Sequence, residues 1–282
     1  TAEDFHDHMS GAAEGRVTNS DEHRYSNTGY VVLGQIIEEV TGRQFSEYVS
    51  ENVFDALGMA RSTLDYDEFE GAENTATPSI MRDGEIQEMT LDWHDFSKPT
   101  GGLATSPRDA VQILRLLAGD GIVGGEQLFG NEVEAMKDSP TTCNTRIDGT
   151  TFEYGYGIRF DEFLDDRLVG HTGDALASNA WFGYLEEREL GMVIACTTTP
   201  SPPPYFVGKK VLASLVGEDP KEAIPFHRLM SRVQRAVGEY EGPMGVNEAT
   251  VEQTAAGLEV TIDEHLEKST ALLVPEAVED DA

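Results

Sequence analysis

The sequence predicts an α/β sandwich: an antiparallel sheet flanked by helices, with a small β-rich appendage at the C-terminal end. Three observations predict it. Up to about residue 137, helix-capping residues alternate with apolar residues at helical spacing. From about Thr151 the pattern changes to short strand-like runs separated by charged or glycine turns, connections suited to antiparallel pairing. After Pro220 a last helical stretch gives way to short strands with turns.

Residues 1–24 are polar and include His6, His8 and His23. Asn27 is a good N-cap for a helix to about Val40, with Tyr30, Leu33, Ile37 and Val40 on one face and Gly42 as its stop. Ser46 is placed to cap a second helix, with Tyr48, Val49, Val53 and Leu57 as its apolar side and Gly58 as its end. Residues 60–100 read as turn-rich and irregular. Ser106, Pro107 and Asp109 form a helix start of the capping-box kind, and Val111, Ile113, Leu114 and Leu117 supply the buried face. A further helix is predicted near Asn131–Lys137. Strands are predicted at 151–160, 167–170, 178–185 and 191–198, ended by Pro200 and the Pro202–Pro204 run. A helix at Phe206–Leu215 follows, then a boundary near Gly217–Pro220, a helix at 225–237 and short strands over 239–275. The end, Glu276–Ala282, is expected to fray. The expected domains are therefore residues 1–218 and 219–282.

Composition narrows the function classes. A chain of 282 residues with 39% hydrophobic content can build a sizeable core, and no apolar run has the length of a membrane span. It begins at Thr1 with polar, acidic residues and no visible signal peptide. There are 52 acidic and 20 basic residues, for a formal charge of −32, and the acids are spread along the whole chain. Such a charge makes the compact state repel itself in dilute buffer, and salt screens that repulsion. The expectation is a protein suited to high salt, as in halophiles, with a salt-rich cytoplasm as its setting. The same charge argues against nucleic acid or an anionic membrane as partner. Cys143 and Cys196, the only cysteines, form neither a disulfide framework nor a metal knuckle.

Two short motifs carry the functional signal. Tyr25-Ser26-Asn27 stands just before an apolar helix, and His171-Thr172-Gly173 just before strand-like sequence. The stretch from Arg24 to Met59 opens Tyr-Ser-Asn-Thr-Gly-Tyr and closes Leu-Gly-Met, and Gly101-Gly102-Leu103-Ala104-Thr105-Ser106 leads into the next helix. On these residues the chain resembles the serine β-lactamase and penicillin-binding-protein superfamily, in its class C β-lactamase and esterase branch. The resemblance covers about Thr1 to Val216 and implies the β-lactamase/transpeptidase-like fold. The first signature of that family, Ser-x-x-Lys, carries its nucleophile. None of the serines in residues 1–282 has a lysine three positions later. His8-Met9-Ser10-Gly11 is similar to the His-Thr-Ser-Gly between the family's first and second signatures, so the expectation is a domain incomplete at its N-terminus, with exposed apolar surface as a result.

The resemblance implies hydrolysis of ester or amide bonds through an acyl-serine intermediate, with a small-molecule ester or an amide or peptide as substrate. Acyl transfer needs a nucleophile, a base for its proton and donors aimed at the developing oxyanion. The resemblance gives Tyr25 the role of base. A phenol has an ordinary pKa near ~10 and needs a cationic neighbour to serve at neutral pH. Asn27 is implied as a ligand of the substrate carbonyl, while its residue type suits an N-cap equally well. His171 is implied as the polar group of the third signature, able to carry a proton or steer substrate. Thr172 would hydrogen-bond substrate, and Gly173 and the backbone N–H of Asp174 would complete the oxyanion side. An acidic side chain there would disfavour carboxylate-bearing substrates and favour neutral or cationic ones.

Competing readings are weaker. His6-x-His8 with Glu3 and Asp4 lacks the rest of a zinc constellation, so no metal site and no cofactor are predicted. There is no Gly-x-Ser-x-Gly elbow, and Ser79-x-x-Arg82 carries an arginine, which cannot act as base. Trp93 and Trp181 suit packing. Two classes stay open: a serine hydrolase whose nucleophile segment is absent from this chain, and an inactive pseudoenzyme or binding module. Oligomeric state is left open.

Overall fold

The computed structural model describes residues 23–82, 85–90, 94–138, 140–143, 151–175, 177–198, 200, 202–224, 233–241, 248–254, 257–264 and 267–273. His6, His8–Gly11, Trp93, residues 225–232 and the end from 274 lie outside them. The chain divides into two units, one of Thr1–Cys143 with Glu153–Gly208, the other of Asn144–Phe152 with Lys209–Ala282.

Among the described residues the first unit opens with α1 (Asn27–Thr41), which Gly42 ends in the left-handed region at φ 69°, donating its N–H to Glu38 O. Its N-cap is Ser26, whose hydroxyl accepts the Gly29 N–H at 3.0 Å, so Asn27 is the first helical residue and not the cap. Ser26, one position earlier, has the extended backbone of a cap residue, which brings its short side chain in reach of the free N–H groups. The buried side of α1 also differs from the apolar spacing. Val31 and Gly34 are buried, while Leu33 is 51% and Val40 79% exposed. A side chain at Gly34 would run into Pro99, so this helix approaches its neighbour through a glycine, which apolar counting passes over.

A continuous helical run, α2, follows as Phe45–Val49, a π turn at Ser50–Phe54, and Asp55–Leu57, closed by Gly58 at φ 67°. It begins before Ser46. The Phe45 N–H is satisfied by Glu38 Oε1 of α1 at 2.9 Å, which replaces a serine cap. The stretch read as irregular contains α3 (Tyr66–Gly71), capped by Asp65, and the hairpin β1 (Ser79–Arg82) with β2 (Glu85–Glu88). A short helix, α4 (Lys98–Gly101), leads to α5 (Pro107–Ala118), where Ser106 accepts the Asp109 N–H at 3.1 Å as its capping pattern predicts. A two-residue hairpin of β3 (Ile122–Val123) and β4 (Glu126–Gln127) and then α6 (Asn131–Asp138) complete the helical part.

Among the described residues the sheet has six antiparallel strands in sequential order: β5 (Thr141–Thr142), β6 (Glu153–Tyr154), β7 (Arg159–Glu162), β8 (Arg167–Ala175), β9 (Ser178–Leu185) and β10 (Leu190–Cys196). The single strand expected at 151–160 is two strands broken at Gly155–Gly157. Gly157 has φ 77°, and a side chain at Gly155 would meet the Met136 carbonyl. Val169, Tyr184 and Phe160 from the sheet join Phe54, Leu57, Met59, Leu114 and Leu117 in one core. On β9, Trp181 is 3% exposed and edge-on to Tyr205 of α7 (Pro204–Leu215), and a side chain at Gly208 would overlap its indole. Pro204 starts α7 and does not precede it, as a first-turn proline can.

The second unit contains the short helix α8 (Pro220–Ala223) and a meander of β11 (Gly238–Glu241), β12 (Glu248–Thr254), β13 (Gly257–Glu264) and β14 (Glu267–Leu273), antiparallel in that order. Residues 233–236 are helical, and Val233 packs against Leu258. Among the described residues no helix is long and apolar enough to cross a membrane.

Candidate active site

The end of β8 and the approach to α1 meet at one place. Tyr25 stands two residues before α1, 60% exposed, because the chain there is extended up to the Ser26 cap. His171 lies in β8, on the same face as the fully buried Val169 two positions earlier. The two rings lie 6.3 Å apart between centroids, although 146 positions separate them in sequence (171 − 25). The motif His171-Thr172-Gly173 is thus inside a nine-residue strand and not ahead of one.

Tyr154 is the residue that sequence reasoning passed over. Its hydroxyl lies 2.6 Å from His171 Nε2, and its ring is edge-on to Tyr25 at 6.2 Å and tilted against His23 at 4.8 Å. The signal was present in Tyr154-Gly155-Tyr156-Gly157, an aromatic pinned between glycines where a strand must turn. Tyr30, one turn into α1, joins the same group. Its hydroxyl would stand 3.0 Å from a side chain at Gly157. Burial, and then the charge that Tyr25 would carry, raise the Tyr30 pKa above the ordinary phenol value. Burial raises the Tyr154 pKa further, reinforced by Tyr25, Tyr30 and Cys143. His171 shifts the other way. Burial lowers its pKa, partly offset by its Nδ1 contact with the Thr172 carbonyl at 2.6 Å.

The remaining motif residues divide between the faces of the sheet. Side chains alternate along a strand, so Thr172 and Asp174 lie on the face opposite His171. Thr172 is paired with Trp181 and Asp174 with Asn179, whose amide donates to Asp174 Oδ1 at 3.2 Å. The Asp174 carboxylate is therefore turned from the His171 face and already holds a partner. A cavity beside this stretch of β8 is lined by Arg159, Asp161, Leu168, Gly170, His171, Thr172, Trp181 and Tyr205, and Arg159 pairs there with Asp161 at 3.1 Å. Pairing of β7 with β8 stops at Arg159 opposite Gly170, so Thr172, Gly173 and Asp174 run past the end of β7. Asn27 is exposed at the first position of α1. The arrangement joins Tyr25, Tyr154 and His171 and leaves a strand edge beside them.

Residues 12–216 match the family described as Beta-lactamase, and residues 220–282 match the one described as Pab87 octamerisation domain. Over 180 residues the chain is 28% identical to a putative D-alanyl-D-alanine carboxypeptidase of Escherichia coli (strain K12), covering 54% of this chain and 40% of that protein. It is 26% identical over 165 residues to a D-aminopeptidase of Brucella anthropi, covering 53% of this chain and 26% of that one. The octameric penicillin-binding protein homologue from Pyrococcus abyssi superposes with a TM-score of 0.76 at 25% identity, covering 94% of this chain and 59% of that chain. The chain spans less than half the length of the two curated relatives.

Proposed function

Since this chain belongs to the beta-lactamase family, we propose that it forms one wall of a serine hydrolase site that cleaves ester or amide bonds through an acyl-serine intermediate. The observation that carries the reading is the meeting of Tyr25 with His171, from motifs at opposite ends of the domain, at a ring separation of 6.3 Å. In the reaction a serine hydroxyl adds to the substrate carbonyl, its proton passes to the base, and the leaving group departs protonated. Water then repeats the sequence on the acyl-serine ester. Tyr25 serves as the base when a cation stands beside its phenol oxygen. Asn27, released from capping by Ser26, offers its amide to the substrate carbonyl. The Asp174 N–H, on the strand edge beyond β7, is the oxyanion donor contributed by this wall. Thr172 acts through its backbone, since its side chain is on the other face.

Relatives named as a putative D-alanyl-D-alanine carboxypeptidase and a D-aminopeptidase support peptide-like amides as the substrate class. The match of 220–282 to an octamerisation domain, with the likeness to an octameric homologue, supports the C-terminal meander as an assembly module. Light scattering of the chain in molar salt reads its mass. A monomer at all concentrations overturns the assembly role.

The catalytic reading is tested by intact mass of the chain, folded in molar salt, after exposure to a fluorophosphonate. Residues 1–282 contain no Ser-x-x-Lys, and the expected result is a well-folded chain without adduct. A single stoichiometric adduct would locate an activated serine inside the chain and overturn the division of labour proposed here. A chain joined to a Ser-x-x-Lys segment that still takes up no label would leave a binding module as the better reading.

A further inference from the structure

His171 uses both ring nitrogens within the fold. Nδ1 lies 2.6 Å from the Thr172 carbonyl oxygen, and Nε2 lies 2.6 Å from the Tyr154 hydroxyl. A carbonyl oxygen only accepts, so the proton belongs on Nδ1. The neutral ring then has a lone pair on Nε2, and the Tyr154 hydroxyl must donate to it. We propose that Tyr154 is a positioning residue of this site, holding His171 in its Nδ1–H tautomer by an O–H···Nε2 hydrogen bond.

The backbone around Tyr154 is built to hold that hydroxyl still. Tyr154 pairs with Thr141 on one side and Arg159 on the other. The next residue, Gly155, donates its N–H to Ile158 O at 2.8 Å in a turn with no room for a side chain. His23 and Tyr25 flank the phenol ring. The titratable groups around the pair are Tyr25 and His23 ahead of α1, Tyr30 on α1 and Cys143 after β5. Arg159 and Asp161 of β7 are paired with each other.

The tautomer decides what the pair presents to a substrate. With both imidazole nitrogens and the phenol proton engaged, what remains is the lone-pair side of the Tyr154 oxygen, an acceptor. His171 then supplies no positive charge for a substrate carboxylate, and the pair favours a group that donates, such as an amide N–H or an ammonium. This consequence rests on the serine hydrolase reading of the site. The tautomer itself does not.

The test is long-range 1H–15N correlation of the histidine side chains in the folded chain at pH 8, above the ordinary histidine pKa of about 6.5, with His171→Gln to assign the resonance. The expected pattern has Nδ1 protonated and Nε2 as the imine-type nitrogen, shifted upfield by the donated hydrogen bond. In Tyr154→Phe, Nε2 moves downfield to the position of a free imine nitrogen. A protonated Nε2, a mixture of tautomers in the wild-type chain, or an unmoved Nε2 in folded Tyr154→Phe overturns the proposal. The wild-type spectrum decides the tautomer even if the variant does not fold. No turnover is needed, so a failed labelling experiment and a failed tautomer are separate results.

Discussion

The Asp109 carboxylate accepts the backbone N–H of Arg61 at 2.7 Å, across 48 positions of sequence. The same oxygen accepts the Ser62 hydroxyl at 3.0 Å, and Ser62 in turn contacts Thr105 at 2.6 Å. Asp109 is only 8% exposed, so these part-buried bonds tie the loop after α2 to the first turn of α5 with reduced competition from water. Its place near a helix N-terminus adds the favourable end of the helix dipole.

Asp109→Ala therefore removes the acceptor of the part-buried Arg61 N–H and leaves the Ser62 hydroxyl with Thr105 alone. The expected loss is about 1–3 kcal/mol in denaturant unfolding at molar salt, the range for removing a charged acceptor from part-buried donors. Asp109→Asn retains an acceptor oxygen and should lose less. Equal stability of Asp109→Ala and wild type would show that the loop is held by other contacts.

The lowered pKa of His171 has a consequence for stability against pH. Burial disfavours the charged imidazole, so the unfolded chain binds a proton more readily than the folded one. The contribution is complete above the ordinary pKa of about 6.5 and is lost as pH falls through the lowered folded value. Other groups also titrate in this interval, so the quantity to compare is a difference. Between pH 7.5 and 5, wild type should lose more stability than His171→Gln. Parallel pH profiles for the two proteins would remove burial of a neutral His171 from the account.

The net charge of −32 makes a separate prediction. Screening of the acidic surface should raise the melting temperature steeply between low and molar KCl or NaCl. A melting temperature that does not move over that interval would sink the high-salt reading of the composition.

Several elements were legible because their causes are local. Ser106, Pro107 and Asp109 announce α5, and the glycine after each of α1 and α2 takes the left-handed conformation that ends a helix. The strands after Thr151 and the four-stranded meander follow from alternation and short turns. Reading failed where a distant group took over a local role. Glu38 replaced a serine cap at Phe45, Gly34 made the packing face of α1, and the 155–157 turn divided a strand. The short helix at Tyr66–Gly71 was also missed, although Asp65 and Glu68 carry a local start signal for it.

The sequence by itself determined the family, the glycine stops of α1 and α2, the capped start of α5, the antiparallel character of the sheet and the presence of two family-like motifs, because these depend on residue type, spacing and chain-neighbour geometry. Only the tertiary structure decided which side of β8 each motif residue occupies. It turned Thr172 and Asp174 away, and it brought Tyr154 from β6 onto His171. The physical reason is that strand register fixes the facing of every side chain at once, and register is set by the partner strands and the core beneath Val169.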